Sequence, residues 1–71
     1  MTFRLMFIGD VVGVAGGTAV STLVPVLRWE LELDAVVANG ENSAPTGRGI
    51  TPESASELLS VVDFLTLQSR L

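Results

Sequence analysis

The chain contains no cysteine, no histidine, no lysine and no tyrosine. Without cysteine, disulfides and thiolate metal sites are excluded, and the redox compartment leaves no trace. Without histidine, the commonest transition-metal ligand and the usual acid/base group near neutral pH are missing. Without lysine, the four cations are all arginine and the net charge is −4. That balance disfavours an extended nucleic-acid partner, which needs a cationic face. No apolar run approaches the roughly 18–20 residues of a membrane span. The first residues, Met1-Thr2-Phe3-Arg4-Leu5, enter a strand at once and lack the layout of a signal peptide, so cytoplasm is the expected compartment. Chemistry in this chain is left to carboxylates, amides, hydroxyls, arginine and backbone groups.

What is present is apolar for a chain of 71 residues: 48% hydrophobic against 17% charged. A domain of this size buries only about 60% of the surface its unfolded chain exposes. The composition argues against disorder and for apolar surface meant for contact beyond these residues.

Residues 3–8 read as a first strand, with Phe3, Leu5 and Phe7 on one face and Met6 and Ile8 on the other. Apolar residues on both faces suit a parallel sheet covered on each side. A glycine-rich stretch over 9–17 follows. It matches neither G-x-G-x-x-G nor G-x-x-x-x-G-K-[ST]. Its glycines allow either a plain strand-to-helix turn or a close approach of backbone to a metal or phosphate beside Asp10. A helix is expected over 17–31, with Thr18 as a cap and a stripe of Ala19, Leu23, Val26 and Leu27. Pro25 should kink or restart it, and Trp29 reads as a packing residue. Glu30, Glu32 and Asp34 crowd its end, against the helix dipole.

A second strand covers 35–38 or 39. Residues 40–50 form a long polar loop, a length that often carries function. Thr51-Pro52-Glu53 starts a second helix over about 52–61, with Ala55, Leu58, Leu59 and Val62 inward and Glu53, Ser54, Ser56, Glu57 and Ser60 mostly outward. Asp63–Leu67 reads as a third strand. The fold class is α/β in the order β-α-β-α-β, half of a doubly wound sheet. Two helices cannot cover both faces of three strands, so the unit is expected to be incomplete, a fragment or a partner in an assembly, self-associating or docking through uncovered sheet.

The chemistry centres on Asn39-Gly40-Glu41-Asn42. This motif lies just past the second strand, where open α/β sheets bind ligands. Asp10 is the other acid so placed, at the end of the first strand. Hard oxygen donors from neighbouring parallel strands are the beginning of a divalent-metal site. The blander alternatives are a turn or cap role for Asp10 and a plain turn at Asn39-Gly40. Arg48 in the loop is either a phosphate contact or a solvated residue.

Phe7-Ile8-Gly9-Asp10-Val11-Val12-Gly13, Val37-Ala38-Asn39-Gly40-Glu41-Asn42, Gly49-Ile50-Thr51-Pro52 and Val62–Leu67 occur in this order. Together they resemble the N-terminal part of the YmdB-type branch of the calcineurin-like metallophosphoesterases. The resemblance covers nearly all of this chain and about the first quarter of the family's domain. It implies a four-layered α/β/β/α fold, a two-metal site of iron, manganese or both, and phosphodiester hydrolysis of substrates such as 2′,3′-cyclic AMP. It implies Asp10 as a first metal ligand, Glu41 as the bridging acid and Asn42 as a neighbouring amide ligand. After its third strand the family continues Gly-Asn-His. Here the chain reads Gln68-Ser69-Arg70, so neither of those roles is carried to Ser69 or Arg70. Three side-chain donors cannot fill two coordination spheres. At most weak binding of one Mg²⁺ or Mn²⁺ is therefore expected of this chain, with two metals in the complete domain. The competing readings are a non-catalytic binding or assembly module and a receiver-like phospho-acceptor, the latter weakened by the absent lysine.

Overall fold

The computed structural model describes residues 2–67. Its elements are β1 (Leu5–Asp10), α1 (Gly13–Leu31), β2 (Ala35–Asn39), α2 (Pro52–Leu59) and β3 (Phe64–Thr66). The three strands form one parallel sheet in the order β1-β2-β3. Two successive crossovers of the same hand, moving in the same direction across a sheet, put both helices on the same face. The packing agrees. Val20 and Val24 of α1 and Leu58 of α2 share one buried cluster with Val36 and Ala38 of β2, joined by Met6, Ile8 and Leu65.

The alternate residues turn the other way. Phe7 and Phe64 are each 63% exposed, and Leu5 is exposed beside them. The double-sided burial expected for the first strand therefore holds on one face only. The opposite face, with Phe3, Leu5, Phe7 and Phe64, is bare among the described residues. Alternation records that both faces are apolar, whereas the placement of helices decides which is covered.

Helix α1 begins at Gly13, four residues earlier than the sequence suggested, and Val12 precedes it without a side-chain cap. Gly13 sits at φ 64°, a left-handed turn that glycine adopts without strain. Thr18 is thus interior to the helix, not its cap. The buried stripe is Gly17, Val20 and Val24, while Leu23 and Val26 are exposed. The expected stripe was one residue out because α1 is apolar nearly all round, and periodicity then has little to choose between. Gly17 is buried where α1 meets α2, with the end of the flexible Glu57 side chain over it. Pro25 lies within the helix, which runs through it without a second segment. Trp29, expected to pack, is 85% exposed.

The carbonyl end of α1, crowded by acids, has two arginines near it. Arg28 lies in the last turn. Arg4 Nη1 donates to the Leu31 carbonyl at 3.0 Å, and the Arg4 backbone N–H donates to Asp34 at 2.8 Å. Cations are thereby brought to the negative end of the helix.

Thr51 caps α2 as expected, with Pro52 in its first turn. Ser54, expected on the outer face, is instead half-buried and completes a reciprocal capping box with Thr51. Leu58 is fully buried, but its neighbour Leu59 is 51% exposed, because α2 ends at Leu59 and only one flank meets the sheet.

Arg28 fastens α1 to the chain entering β3. Its Nε and Nη2 donate to the Val61 carbonyl at 3.1 and 3.0 Å, and Nη2 reaches Asp63 Oδ2 at 2.6 Å. Asp63 Oδ2 also accepts from the Val36 N–H at 2.8 Å. The Arg28 hydrogen bond, then the Val36 N–H, holds the Asp63 carboxyl below its ordinary value. A carboxylate depressed in the folded state stabilises above its unfolded pKa, about 3.9. That contribution is lost as pH falls through the lower folded value. The protein is expected to lose more stability on going from pH 7 to pH 3 than the Asp63→Asn variant does. Urea melts at the two pH values read this difference, and parallel losses would remove Asp63 from the acid response.

Candidate functional site

Strands β1 and β2 run in register from Leu5 opposite Ala35 to Ile8 opposite Ala38. The register then shifts by one residue, so that Asp10 and not Gly9 stands opposite Asn39. An extra residue in a strand re-aims the side chains that follow it. Here it places an acid level with the start of Asn39–Asn42. Backbone bonds hold that junction on both sides. The Val11 N–H donates to the Asn39 carbonyl at 3.1 Å, and the Gly13 N–H to the Asn42 carbonyl at 3.0 Å.

Asn42 Nδ2 lies 3.1 Å from Asp10 Oδ1 and 3.3 Å from Oδ2. Two of the three expected ligands therefore meet although they are 32 residues apart in sequence. With Nδ2 turned to the carboxylate, a half-turn of the carboxamide presents Oδ1 there instead. Glu41 precedes Asn42 in the turn that follows β2 and is half-buried. Its N–H donates to Asn39 Oδ1 at 3.3 Å, which gives Asn39 a local role of holding the loop. Among the described residues the Glu41 carboxylate has no hydrogen-bonding partner, and no three His, Cys, Asp or Glu side chains gather as a metal cluster. The assembled donors are thus Asp10 and Asn42, with Glu41 next to Asn42 in the chain. All offer oxygen, which suits hard cations such as Mg²⁺ and Mn²⁺. They fit part of one coordination sphere.

The turn that carries these residues is tightly closed. Gly40 and Ser43 are joined by the Ser43 N–H to the Gly40 carbonyl at 3.2 Å, with Glu41 and Asn42 at the two central positions. The Gly40 N–H is taken by the Thr66 carbonyl of β3 at 3.0 Å. Gly40 is buried and outside the left-handed region. It packs against the Leu58 and Leu65 methyls, which a Cβ there would meet at 3.4 Å, ordinary contact. Ser43 is 3% exposed, the one buried polar residue among those described. Neither it nor Ser54 stood out in the sequence, where isolated serines in a polar loop and on a helix look like solvated positions. The spacing Gly40-x-x-Ser43 was the available signal, as serine at the end of a four-residue turn can bond back to its first carbonyl. Arg48 is exposed at the far part of the loop, where its backbone N–H and carbonyl meet the Thr46 hydroxyl. Gln68-Ser69-Arg70 lies outside the described residues.

Comparison with known proteins bears on the same stretch. A 2′,3′-cyclic-nucleotide 2′-phosphodiesterase of Bacillus subtilis (strain 168) is 38% identical over 65 residues, covering 90% of this chain and 24% of the relative. A candidate phosphatase/phosphodiesterase of Mycoplasma genitalium is 29% identical over 65 residues, covering 90% of this chain and 23% of the relative. The chain thus spans about a quarter of the length of these curated relatives. No solved structure matches it. The profile of the YmdB-like protein family matches residues 6–70, which include Asp10 and the whole Asn39–Asn42 motif, and the chain belongs to that family.

Proposed function

We propose that this chain supplies the first donors of a metal-dependent phosphodiesterase centre of the cyclic-nucleotide type, completed by residues beyond the 71. The observation that carries this reading is the meeting of Asp10 and Asn42 at the ends of β1 and β2. The names of the relatives support the reaction class, and one of them supports a 2′,3′-cyclic nucleotide as substrate. Divalent cations, iron or manganese in the complete site, would supply a polarised phosphoryl oxygen and a water acidic enough to attack near neutral pH. Asp10 and Asn42 would hold one ion, and Glu41 would share it with a second. Glu41 stands on the turn just past β2, and its N–H is already held by Asn39. Arg48, exposed on the same loop, is available to a phosphate oxygen. Among the described residues no helix is long and apolar enough to cross a membrane.

A second reading, a non-catalytic assembly module, rests on a different observation. Among the described residues the sheet face bearing Phe3, Leu5, Phe7 and Phe64 has nothing over it, and self-association would cover it.

Titration of the chain with Mn²⁺, followed by the paramagnetic resonance of the free ion, tests the first reading. One weak site per chain is the expected result. No binding at millimolar Mn²⁺ would overturn the metal reading, and two tight sites would overturn the single partial site.

A further inference from the structure

Glu41 and Asn42 occupy the two central positions of a turn, and the turn is closed twice by one residue. The Ser43 backbone N–H meets the Gly40 carbonyl at 3.2 Å, and the Ser43 hydroxyl lies 2.8 Å from the same oxygen. The hydroxyl is also 3.0 Å from Ser54 Oγ. Ser54 Oγ in turn accepts from the Thr51 N–H at 3.0 Å, within the capping box of α2. Each hydroxyl has a single proton. One consistent assignment has Ser43 donating to the Gly40 carbonyl and Ser54 donating to Ser43. Ser54 Oγ also lies 3.1 Å from the Thr51 carbonyl, the other acceptor for its proton; with that proton on Ser43, a part-buried chain of hydroxyls ties the Gly40–Ser43 turn to the N-terminus of α2.

We infer that Ser43 is a positioning residue for the metal centre: its buried hydroxyl fixes the turn that carries Glu41 and holds Asn42 toward Asp10. The inference rests on the metal reading above. The physical argument is one of preorganisation. A four-residue turn at the surface exchanges among several backbone forms, and ligands on it lose affinity in proportion to the time spent misaimed. Ser43 is 3% exposed, so its hydroxyl bonds are made out of competition with water. They also refer the turn to a helix anchored in the core through Leu58, rather than to the loop alone. Removing the hydroxyl leaves the backbone bond from Ser43 to Gly40 and the bonds between Ser54 and Thr51 in place. The fold is therefore retained while the aim of the turn is loosened. Groups that orient metal ligands typically carry about 10–100-fold in metal affinity.

The test compares Mn²⁺ affinity, read by the resonance of the free ion, for the chain and for Ser43→Ala, Ser43→Thr and Asp63→Asn. All are measured at a temperature where circular dichroism shows each folded. Ser43→Ala is expected to bind about tenfold more weakly. Ser43→Thr, which keeps a hydroxyl, should restore most of that loss. Asp63→Asn loosens the fold at the other end of β2 and should bind as the parent does. In the metal-free protein, amide exchange at Glu41 and Asn42 should quicken in Ser43→Ala and not in Asp63→Asn. Unchanged affinity in Ser43→Ala overturns the positioning role and leaves the metal reading intact. Absence of Mn²⁺ binding by the parent chain overturns both. If Ser43→Ala does not fold, Ser43→Thr decides: parent-like affinity supports the role, and a tenfold loss with the hydroxyl present overturns it.

Discussion

Glu41→Gln is expected to abolish measurable Mn²⁺ binding while leaving folding and self-association unchanged. The substitution preserves size and removes one negative charge and one strong oxygen donor. Asp10 would then be the sole carboxylate at the sheet edge, accompanied by two neutral amides. A hard divalent cation is held by carboxylates first, and neutral carbonyl oxygens add little when only one acid remains. Nothing in the structure ties the Glu41 carboxylate to the fold: among the described residues it makes no hydrogen bond, and the turn is closed by Gly40 and Ser43 instead. Folding should therefore be indifferent to the change. The bare sheet face lies on residues 3, 5, 7 and 64, so association through it should be indifferent too. Mn²⁺ titration and sedimentation on the same sample measure both quantities. Retained binding would remove Glu41 from the site, and loss of association along with binding would join the two readings that the structure keeps apart.

Leu58→Ala is expected to cost about 2–5 kcal/mol, the range for truncating a buried leucine. A chain of this size has roughly 4–10 kcal/mol of stability in all, at about 0.05–0.15 kcal/mol per residue. The variant should therefore be half unfolded at a much lower urea concentration, with the slope of the transition retained. Leu58 has no exposed surface and reaches both the β2 layer and Gly40, so the cavity cannot be filled by a small local shift. Leu59→Ala is the control. That side chain is 51% exposed, and its loss should cost under about 1 kcal/mol. Equal effects of the two would mean that α2 is rotated about its axis from the orientation described.

The two leucines also mark where reading the sequence stops. Both fall on the apolar side of α2, and a period of 3.6 residues does not separate neighbours on the edge of a stripe. Helix α1 poses the same problem more severely. Its apolar residues surround it, so Val20 and Val24 could not be told from Leu23 and Val26 until the sheet beneath was placed. The start of α1 was hidden for another reason. Gly13, Gly16 and Gly17 look like loop residues by propensity, yet all three lie within α1.

The sequence by itself determined the β-α-β-α-β order, the cap at Thr51, and the family through Asp10 and Asn39–Asn42. These are local properties or fixed motifs: hydrophobic period, turn chemistry and residue identity act over a few neighbours and do not need the rest of the chain. Only the tertiary structure decided that both helices share one sheet face, that a shifted residue at Gly9 brings Asp10 level with Asn39, and that a buried Ser43 closes the turn carrying Glu41 and Asn42. Each of those depends on contacts between residues distant in sequence, and such contacts are set by crossover handedness, strand register and packing, which no local pattern specifies.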